Sequence, residues 1–589
     1  MSSERSVDYT MQRCRVPLSI MFSWKMTSYA LLLLSITAFS TSSETLTTTS
    51  PDNNPIDAAS SNGQSRTTLT LPLINHHAMK RRRMLEMGLD ENEMESYLDS
   101  LPQRPSHSSS RRTSLEVGGL YQGYGTHYVD LWVGTPPQRQ TVIVDTGSGV
   151  TAFPCSACKD CGKDYHASPF FVEADSSTFQ KFKCDSCSSG STCNQRYQDD
   201  EYCKISVRYT EGSSWSAYEA RDQIYLGGPH NKSLHTKAFE AGDGKHLASG
   251  VVDEDPNDAA DFTFPLTFGC QTSVTGLFKT QLADGIMGMY IEKGAFWHQM
   301  FDAGIIEHQQ FSLCIKKIEA SNPEGTSAGA ITMGGVDTKL HKNPMVFADG
   351  HMTSRSMHGL TIRKVYFAKA GQYDGTEVTQ DNTVKLDITT SQLNSSPVIL
   401  DSGTTNTYFT RKIANTFKAL FESEVGVDYN TDGMTLTDAQ VDKIPSFVVQ
   451  LNGYSSSTDE VNDISDPPTH PRLAGKLDPE HPNDVLVVIS PKHYFEYDAK
   501  DQKFPYHPSI YLTEGSGATL GANFMAGHDV FFDIVENDRI GFAVSDCSYP
   551  RLINNTPSAD QNDVSSTSSS TISPTNSPKP DTPTNSPKP

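Results

Sequence analysis

Two aspartates occupy matching places in an imperfect internal duplication of this 589-residue chain. The first copy runs Val142-Ile143-Val144-Asp145-Thr146-Gly147-Ser148, followed by Thr151 and Phe153; the second runs Val398-Ile399-Leu400-Asp401-Ser402-Gly403-Thr404, followed by Thr407 and Phe409. An apolar triplet of this kind reads as a buried β run that delivers an aspartate at its end. The glycine would let the chain turn sharply without steric cost, and the small hydroxyl residue can hold the loop by bonding backbone. If the two copies meet face to face, their carboxyls lie close enough to share one proton. Like charges at that distance cannot both ionise, so their pKa values split and the pair titrates as a unit. One carboxylate then takes a proton from water while the other carboxylic acid donates to a scissile carbonyl. Water is the nucleophile in such a scheme, and neither a metal nor another cofactor is required. Asp-Thr-Gly or Asp-Ser-Gly alone is an ordinary turn; it is the matched pair that points to chemistry.

The elements that must position these loops are short. From Val117 to about Asp546, alternating apolar runs are separated by Gly, Asp, Asn and Pro, which predicts a mainly β architecture. One amphipathic helix is expected over Phe409–Phe421, with Ile413, Phe417 and Leu420 on one face. Val207–Ser213 reads as a hairpin tip carrying one tyrosine, Tyr209, with Glu211 and Gly212 beyond it; such a hairpin suits a lid that excludes water. Ala241–Asp261 and Ser455–Asp484, acidic and rich in turn residues, read as surface insertions. Gly325-Thr-Ser327-Ala-Gly329 fits a serine-nucleophile elbow, but it lies between two strand-like runs and is expected to be a hairpin turn.

Composition narrows the classes. The formal charge of −22 argues against a nucleic-acid partner, and 36% hydrophobic residues leave no room for a large membrane domain. Arg13, Arg15 and Lys25 precede an apolar run, Ala30–Phe39, that reads as a secretory signal cleaved after Ala38 or, if retained, a signal anchor. Apart from Cys14, ten of the 11 cysteines remain, an even number. Cys155-x-x-Cys158-x-x-Cys161 and Cys184-x-x-Cys187 have zinc-ligand spacing, whereas the secretory signal and even count favour disulfides. Sequons stand at Asn231, Asn394 and Asn554. The last stretch repeats Pro-Thr-Asn-Ser-Pro-Lys-Pro at 574–580 and 583–589 and cannot build a core.

The two aspartate motifs, with Ala283-Asp-Gly-Ile-Met-Gly288, Thr519-Leu-Gly521 and Phe532–Phe542, resemble the pepsin family (A1) of aspartic proteases over about Gly118 to Cys547. Phe153-Pro-Cys-Ser-Ala-Cys-Lys-Asp-Cys-Gly162 and Tyr209-Thr-Glu-Gly-Ser213 bring it nearest to the plasmepsin V and nepenthesin-like branch. The resemblance implies a mainly β, bilobal fold with a cleft between two β-rich lobes. It divides the chain into a signal peptide or anchor (1–41), a propeptide and linker (42–116), an N-terminal lobe with a Cys-rich insertion (117–350), a C-terminal lobe (351–547) and a disordered tail (548–589). Leu69–Ile74 would add a strand, and Lys80–Arg83 reads equally as a solvated charge run or furin-like cleavage site and as propeptide cations laid over an acidic cleft. Asp145 and Asp401 would be catalytic; Thr146, Gly147, Ser148, Ser402, Gly403 and Thr404 would support them; Tyr209, Glu211 and Gly212 would form the flap, with Glu211 either a solvated tip residue or placed to pair with a basic substrate side chain. Where the family often has a tryptophan under the flap tyrosine this chain has Ala152, so Tyr209 is expected to lack that partner and the pocket beneath to be wider. Cys270 is the natural eighth cysteine of the insertion and Cys314 would pair with Cys547, the remaining connectivity staying open. The implied activity is an aspartic endopeptidase, monomeric, acting on proteins or peptides in the secretory pathway, secreted or held in the ER or an acidic vesicle or vacuole, with any membrane tether in the N-terminal segment. The alternative is a pepsin-fold binding protein without activity.

Overall fold

A computed structural model describes residues 69–75, 88 and 127–547, except 189, 196–200, 210–211, 227–262, 317–328, 370–377, 455–471, 498–500, 502 and 546. The signal segment, Lys80–Arg83, Ala241–Asp261, Ser327 and the C-terminal tail lie outside the described residues.

Asp145 ends a strand of the first lobe, and Asp401 directly follows one in the second. Gln138–Asp145 pairs antiparallel with His127–Val133 and parallel with Gly285–Gly288, so that Gly288 stands opposite Asp145. Val398–Leu400 repeats the arrangement, parallel to Ala518–Leu520 with Leu400 opposite Leu520. The first carrier strand is buried on both faces, at Val142 and Val144 on one and Ile143 on the other; in the second, Val398 and Leu400 are buried and Ile399 is half-buried, so both read as continuous aliphatic runs. In both copies the chain leaves the aspartate loop into a second short strand, Ala152–Pro154 or Thr407–Thr410, packed on the same neighbours.

A third sheet joins the two halves. Its strands lie in the order Leu69–Asn75, Gly329–Met333, Phe311–Ile315, His528–Asp533, Arg539–Val544 and Val346–Met352, all antiparallel. The expected strand at Leu69–Ile74 therefore exists, on the edge of this sheet, with Leu73 fully buried. Phe311–Ile315 and Gly329–Met333 pair antiparallel, and Ser327, between them in sequence, lies outside the described residues.

The helix of the second half begins later than the periodicity suggests. Phe409 belongs to the strand Thr407–Thr410, a short 3-10 turn follows, and the α-helix spans Ala414–Val425. It buries Phe417, Phe421 and Val425, while Leu420 is only half-buried. Phe417 meets Phe367 and Phe447 of the adjacent sheet at centroid distances of 4.8 and 5.5 Å. Burying each such ring is worth about 1.5–3 kcal/mol, and this outweighs a helical start at Phe409. Part of the expected surface insertion also packs inward: Asp478 and Asp484 are buried, bound to Lys364 and Arg363. Gln450 donates to both carboxylates, at 2.8 and 2.7 Å. Burial works against ionisation of Asp478, but Lys364, Gln450 and His481 outweigh it and hold its carboxyl down to about 2.

The ten described cysteines pair as Cys155–Cys270, Cys158–Cys161, Cys184–Cys193, Cys187–Cys203 and Cys314–Cys547. Cys270 is the partner from outside the insertion, as expected. The zinc spacing is thus a disulfide framework, in which the sulfurs are no longer thiolate ligands.

Candidate active site

The two aspartate loops are locked by hydroxyls that work in both directions. Thr146 Oγ1 accepts from the Ser402 N–H at 2.8 Å and donates to Leu400 O at 3.0 Å. Ser402 Oγ accepts from the Thr146 N–H at 3.1 Å and donates to Val144 O at 2.8 Å. All these groups are buried, so each bond also removes a buried polar atom that would otherwise be unsatisfied. Within each loop the aspartate turns back on its own backbone: Asp145 Oδ1 accepts from Gly147 N at 2.8 Å, and Asp401 Oδ1 from Gly403 N at 3.0 Å. Thr404 Oγ1 donates to Asp401 Oδ2 at 2.6 Å.

The loop glycines serve a different need from the one their turn suggests. Neither Gly147 nor Gly403 has a positive φ. A methyl group on Gly147 would lie 2.5 Å from Asp401 Oδ1, and one on Gly403 would strike Asp145 Oδ1. Each loop is bare at this point because the opposite carboxyl occupies the space. Asp145 and Asp401 therefore face each other across the pair of loops, as the duplication predicts.

Burial and the charge of Asp401 push the Asp145 carboxyl well above its ordinary range, while the nearby Ser148 hydroxyl and the Gly147 N–H pull the other way. An acid held protonated beside a second carboxylate is the arrangement that general acid–base work on water requires. Behind Asp145, the buried Asp284 accepts from Thr141 N at 2.6 Å and Ser168 N at 2.8 Å. Burial raises its carboxyl to about 6 against these two donors.

The hairpin that carries Tyr209 is built by Glu201–Arg208 and Ser214–Leu226. Tyr209 N donates to Ser213 O at 2.9 Å, and Gly212, exposed with φ 101°, donates to Tyr209 O at 3.0 Å. Glu211 lies outside the described residues. The expectation that Tyr209 lacks an indole partner fails. Trp215 Nε1 donates to the Tyr209 hydroxyl at 3.3 Å, and the space above Ala152 is filled rather than widened.

Some neighbours of the pair were not singled out by sequence. Tyr290, whose N–H donates to Ser148 O at 2.9 Å, has its hydroxyl pKa raised by burial and by the charges of Asp145 and Asp401. Glu292 sets its carboxylate against Gly149, and partial burial raises its pKa. Ile291 N donates to Ser356 O at 2.8 Å, tying this wall to the second half. Their only signal was proximity to the Ala283–Gly288 motif. Away from the pair, Cys155, Glu173 and Cys270 cluster, but both sulfurs are in one disulfide; Asp478, Glu480 and His481 cluster, but Asp478 is already neutralised by Lys364. Neither donor set suits a metal.

Comparison with known proteins gives three kinds of relative. Residues 127–335 match the family model for a xylanase inhibitor N-terminal domain. Aspartic protease 5 of Toxoplasma gondii is 29% identical over 238 residues, 38% of this chain and 21% of that one. Nepenthesin-1 of Nepenthes gracilis is 25% identical over 354 residues (57% and 66%), and plasmepsin V of Plasmodium falciparum 26% over 188 (32% and 26%). The matched stretch thus spans between about a fifth and two thirds of these relatives' length.

Proposed function

We propose that this chain, a member of the pepsin-type (A1) family of aspartic proteases, is an endopeptidase that hydrolyses peptide bonds with water held between Asp145 and Asp401. The observation that carries the reading is the mutual approach of the two carboxyls, each seated over the other loop's glycine, with the Asp145 pKa raised. In the resting site one proton is shared by the pair. The ionised carboxylate accepts a proton from the bound water as it attacks the scissile carbonyl carbon, and the protonated partner donates to the carbonyl oxygen. The tetrahedral intermediate then collapses as a proton passes to the departing amine. Thr146, Ser402, Gly147, Gly403 and Thr404 hold the carboxyls in register, Ser148 stands beside Asp145, and Tyr209 closes the cleft from above, excluding water from the reacting bond.

Protein or peptide substrates follow from this chemistry, and the disulfide framework fits a secreted or endomembrane protein. Among the described residues, no helix is long and apolar enough to cross a membrane. The test is cleavage of a peptide library by the purified protein at several pH values, with Asp145→Asn and Asp401→Asn as controls and with EDTA added to the wild type. Loss of cleavage in both variants and indifference to EDTA are expected. Full cleavage by either variant overturns the reading.

The match to a xylanase-inhibitor domain favours a second reading, a pepsin fold kept for binding. A wild-type protein that cleaves nothing in the library yet binds a partner independently of Asp145 would establish it.

A further inference from the structure

The two aspartate loops differ at one place that the shared chemistry does not account for. Four residues past the aspartate, the first copy has Gly149 and the second has Thr405. Thr405 is buried, so this turn accommodates a side chain in the second copy. Gly149 has no positive φ, so its backbone does not demand glycine either. What occupies the space is a carboxylate. A Cβ on Gly149 would strike Glu292 Oε1 and would lie 2.6 Å from its Cδ and 3.2 Å from its Cγ.

Glu292 departs from the duplication in the same way. It stands exposed four residues past Gly288, whereas the fully buried Met525 stands four residues past the matching Gly521. The segment that carries it is pinned to the reacting pair. Met289 N donates to Asp145 O and Tyr290 N to Ser148 O, both at 2.9 Å. From the second half, Ser356 O accepts from Ile291 N at 2.8 Å, with Ser356 itself at φ 61°, a backbone region that few residues other than glycine adopt. Burial raises the pKa of the Tyr290 hydroxyl most, and the charges of Asp145, Asp401 and Glu292 each raise it further. One hydroxyl thus lies close to the reacting carboxyls and to Glu292 alike. Arg355 acts on that hydroxyl in the opposite sense but makes no ion pair with Glu292.

Among the described residues the Glu292 carboxylate has neither a hydrogen-bond donor nor a cation as partner. Its seat on the loop withdraws it partly from water, and this raises its pKa. A carboxylate that has lost hydration without gaining a partner is a place where a cation binds well. The residue as a whole is exposed, so a ligand can reach it. We infer that Glu292 is a specificity-determining residue, which takes a lysine or arginine side chain of the substrate near the bond that is cut. This rests on the reading of Asp145 and Asp401 as the cleaving pair. The parts of the loops that repeat serve the reaction, and the Gly149–Glu292 contact, which does not repeat, serves selection.

The test scans a peptide library, one position at a time, with the full-length protein at one fixed pH. Wild type should favour Lys or Arg over Gln at one position near the cut. In Glu292→Gln the ratio of kcat/KM for the basic peptide to that for its Gln counterpart should fall about tenfold, the scale of one charged hydrogen bond. In Glu292→Lys the preference at that same position should turn to Asp or Glu. Binding gives a readout apart from turnover. Fluorescence anisotropy of the basic peptide on Asp145→Asn should show about tenfold weaker binding once Glu292→Gln is added. A wild type indifferent to Lys or Arg against Gln at every position overturns the inference, and so does a preference that survives Glu292→Gln, which would place its source elsewhere. Full cleavage by Asp145→Asn overturns the catalytic reading instead, and the ratio in Glu292→Gln still reports on the glutamate.

Discussion

Thr146 and Ser402 each give a hydrogen bond to the other and take one back, backbone N–H to side-chain oxygen in both directions, at 3.1 and 2.8 Å. Each hydroxyl also donates into the other half of the protein, to Leu400 O and Val144 O. The exchange leaves neither loop free to shift without breaking bonds of both. Thr146→Val and Ser402→Ala should each cost about 1–3 kcal/mol, because they leave buried partners unsatisfied. A displacement of the carboxyls on the order of 1 Å would lower kcat/KM about 100-fold. Thr146→Ser, which keeps the hydroxyl, should stay near wild type in both. Thermal melts and peptide cleavage measure the two effects, and a fully active Thr146→Val would refute the positioning role.

The raised Asp145 pKa fixes the direction of the pH profile. Turnover needs one carboxyl of the pair protonated, so kcat/KM should fall as pH climbs through the Asp145 pKa. Cleavage of one peptide across pH 3 to 8 should show a descending alkaline limb. A rate independent of pH up to 8 would contradict the shared proton.

Stability should respond to acid through two opposed groups. Burial lowers the imidazole of His358 to about 4; its Nε2 lies 2.8 Å from Met289 O, and its ring packs on Phe311 and Phe532. Its folded pKa is below the unfolded value, so its contribution is complete above about pH 6.5 and is lost as pH falls toward 4, up to about 3 kcal/mol. Asp284 is raised to about 6, so its contribution is complete below about 3.8 and is lost as pH rises toward 6. In urea melts, the stability deficit of His358→Phe relative to wild type should therefore shrink between pH 6.5 and 4. A deficit that stays constant over that range would show that His358 does not titrate with folding.

Much of this arrangement was legible because a duplicated motif constrains both location and partner. Asp145 and Asp401 were visible from the triplets before them, and Thr146 and Ser402 from their offsets. The strands were visible from their short aliphatic runs. What stayed hidden depends on contacts between segments far apart in sequence. Nothing in Trp215 itself marks it as the partner of Tyr209; the clue is the set of small residues at 152, 217 and 269, which only the sheet brings together. Asp478 and Asp484 looked like solvated acids because Lys364, Arg363 and Gln450 lie over a hundred or some thirty residues away. The helix start was misplaced because Phe409 continues the apolar period while its backbone pairs with Ala518.

Leu73 is the buried anchor of the edge strand Leu69–Asn75, which pairs with Gly329–Met333 and touches His127 and Tyr128. Leu73→Ala should destabilise the protein by about 2–5 kcal/mol, as for other buried leucines. A melting temperature unchanged by Leu73→Ala would show that the strand is dispensable.

Asn394 heads an Asn-Ser-Ser sequon, yet its side chain is already committed. Its Nδ2 donates to Ile362 O at 2.6 Å and Thr390 O at 2.7 Å, and its Oδ1 accepts from Ile362 N at 2.9 Å. The amide closes the end of the strand Ile362–Ala368 against the helix Thr390–Leu393 and has no hydrogen left for a glycan. Glycosylation would replace one of these hydrogens with a bulky sugar and push the helix off the strand. Mass spectrometry of the protein expressed through a eukaryotic secretory pathway should find Asn394 unmodified. Asn394→Asp replaces both Nδ2 donors with acceptors, setting a carboxylate against two carbonyls, and should cost about 1–3 kcal/mol in urea melts. A glycan found at Asn394 in most molecules would show that this corner opens before the sheet closes over it.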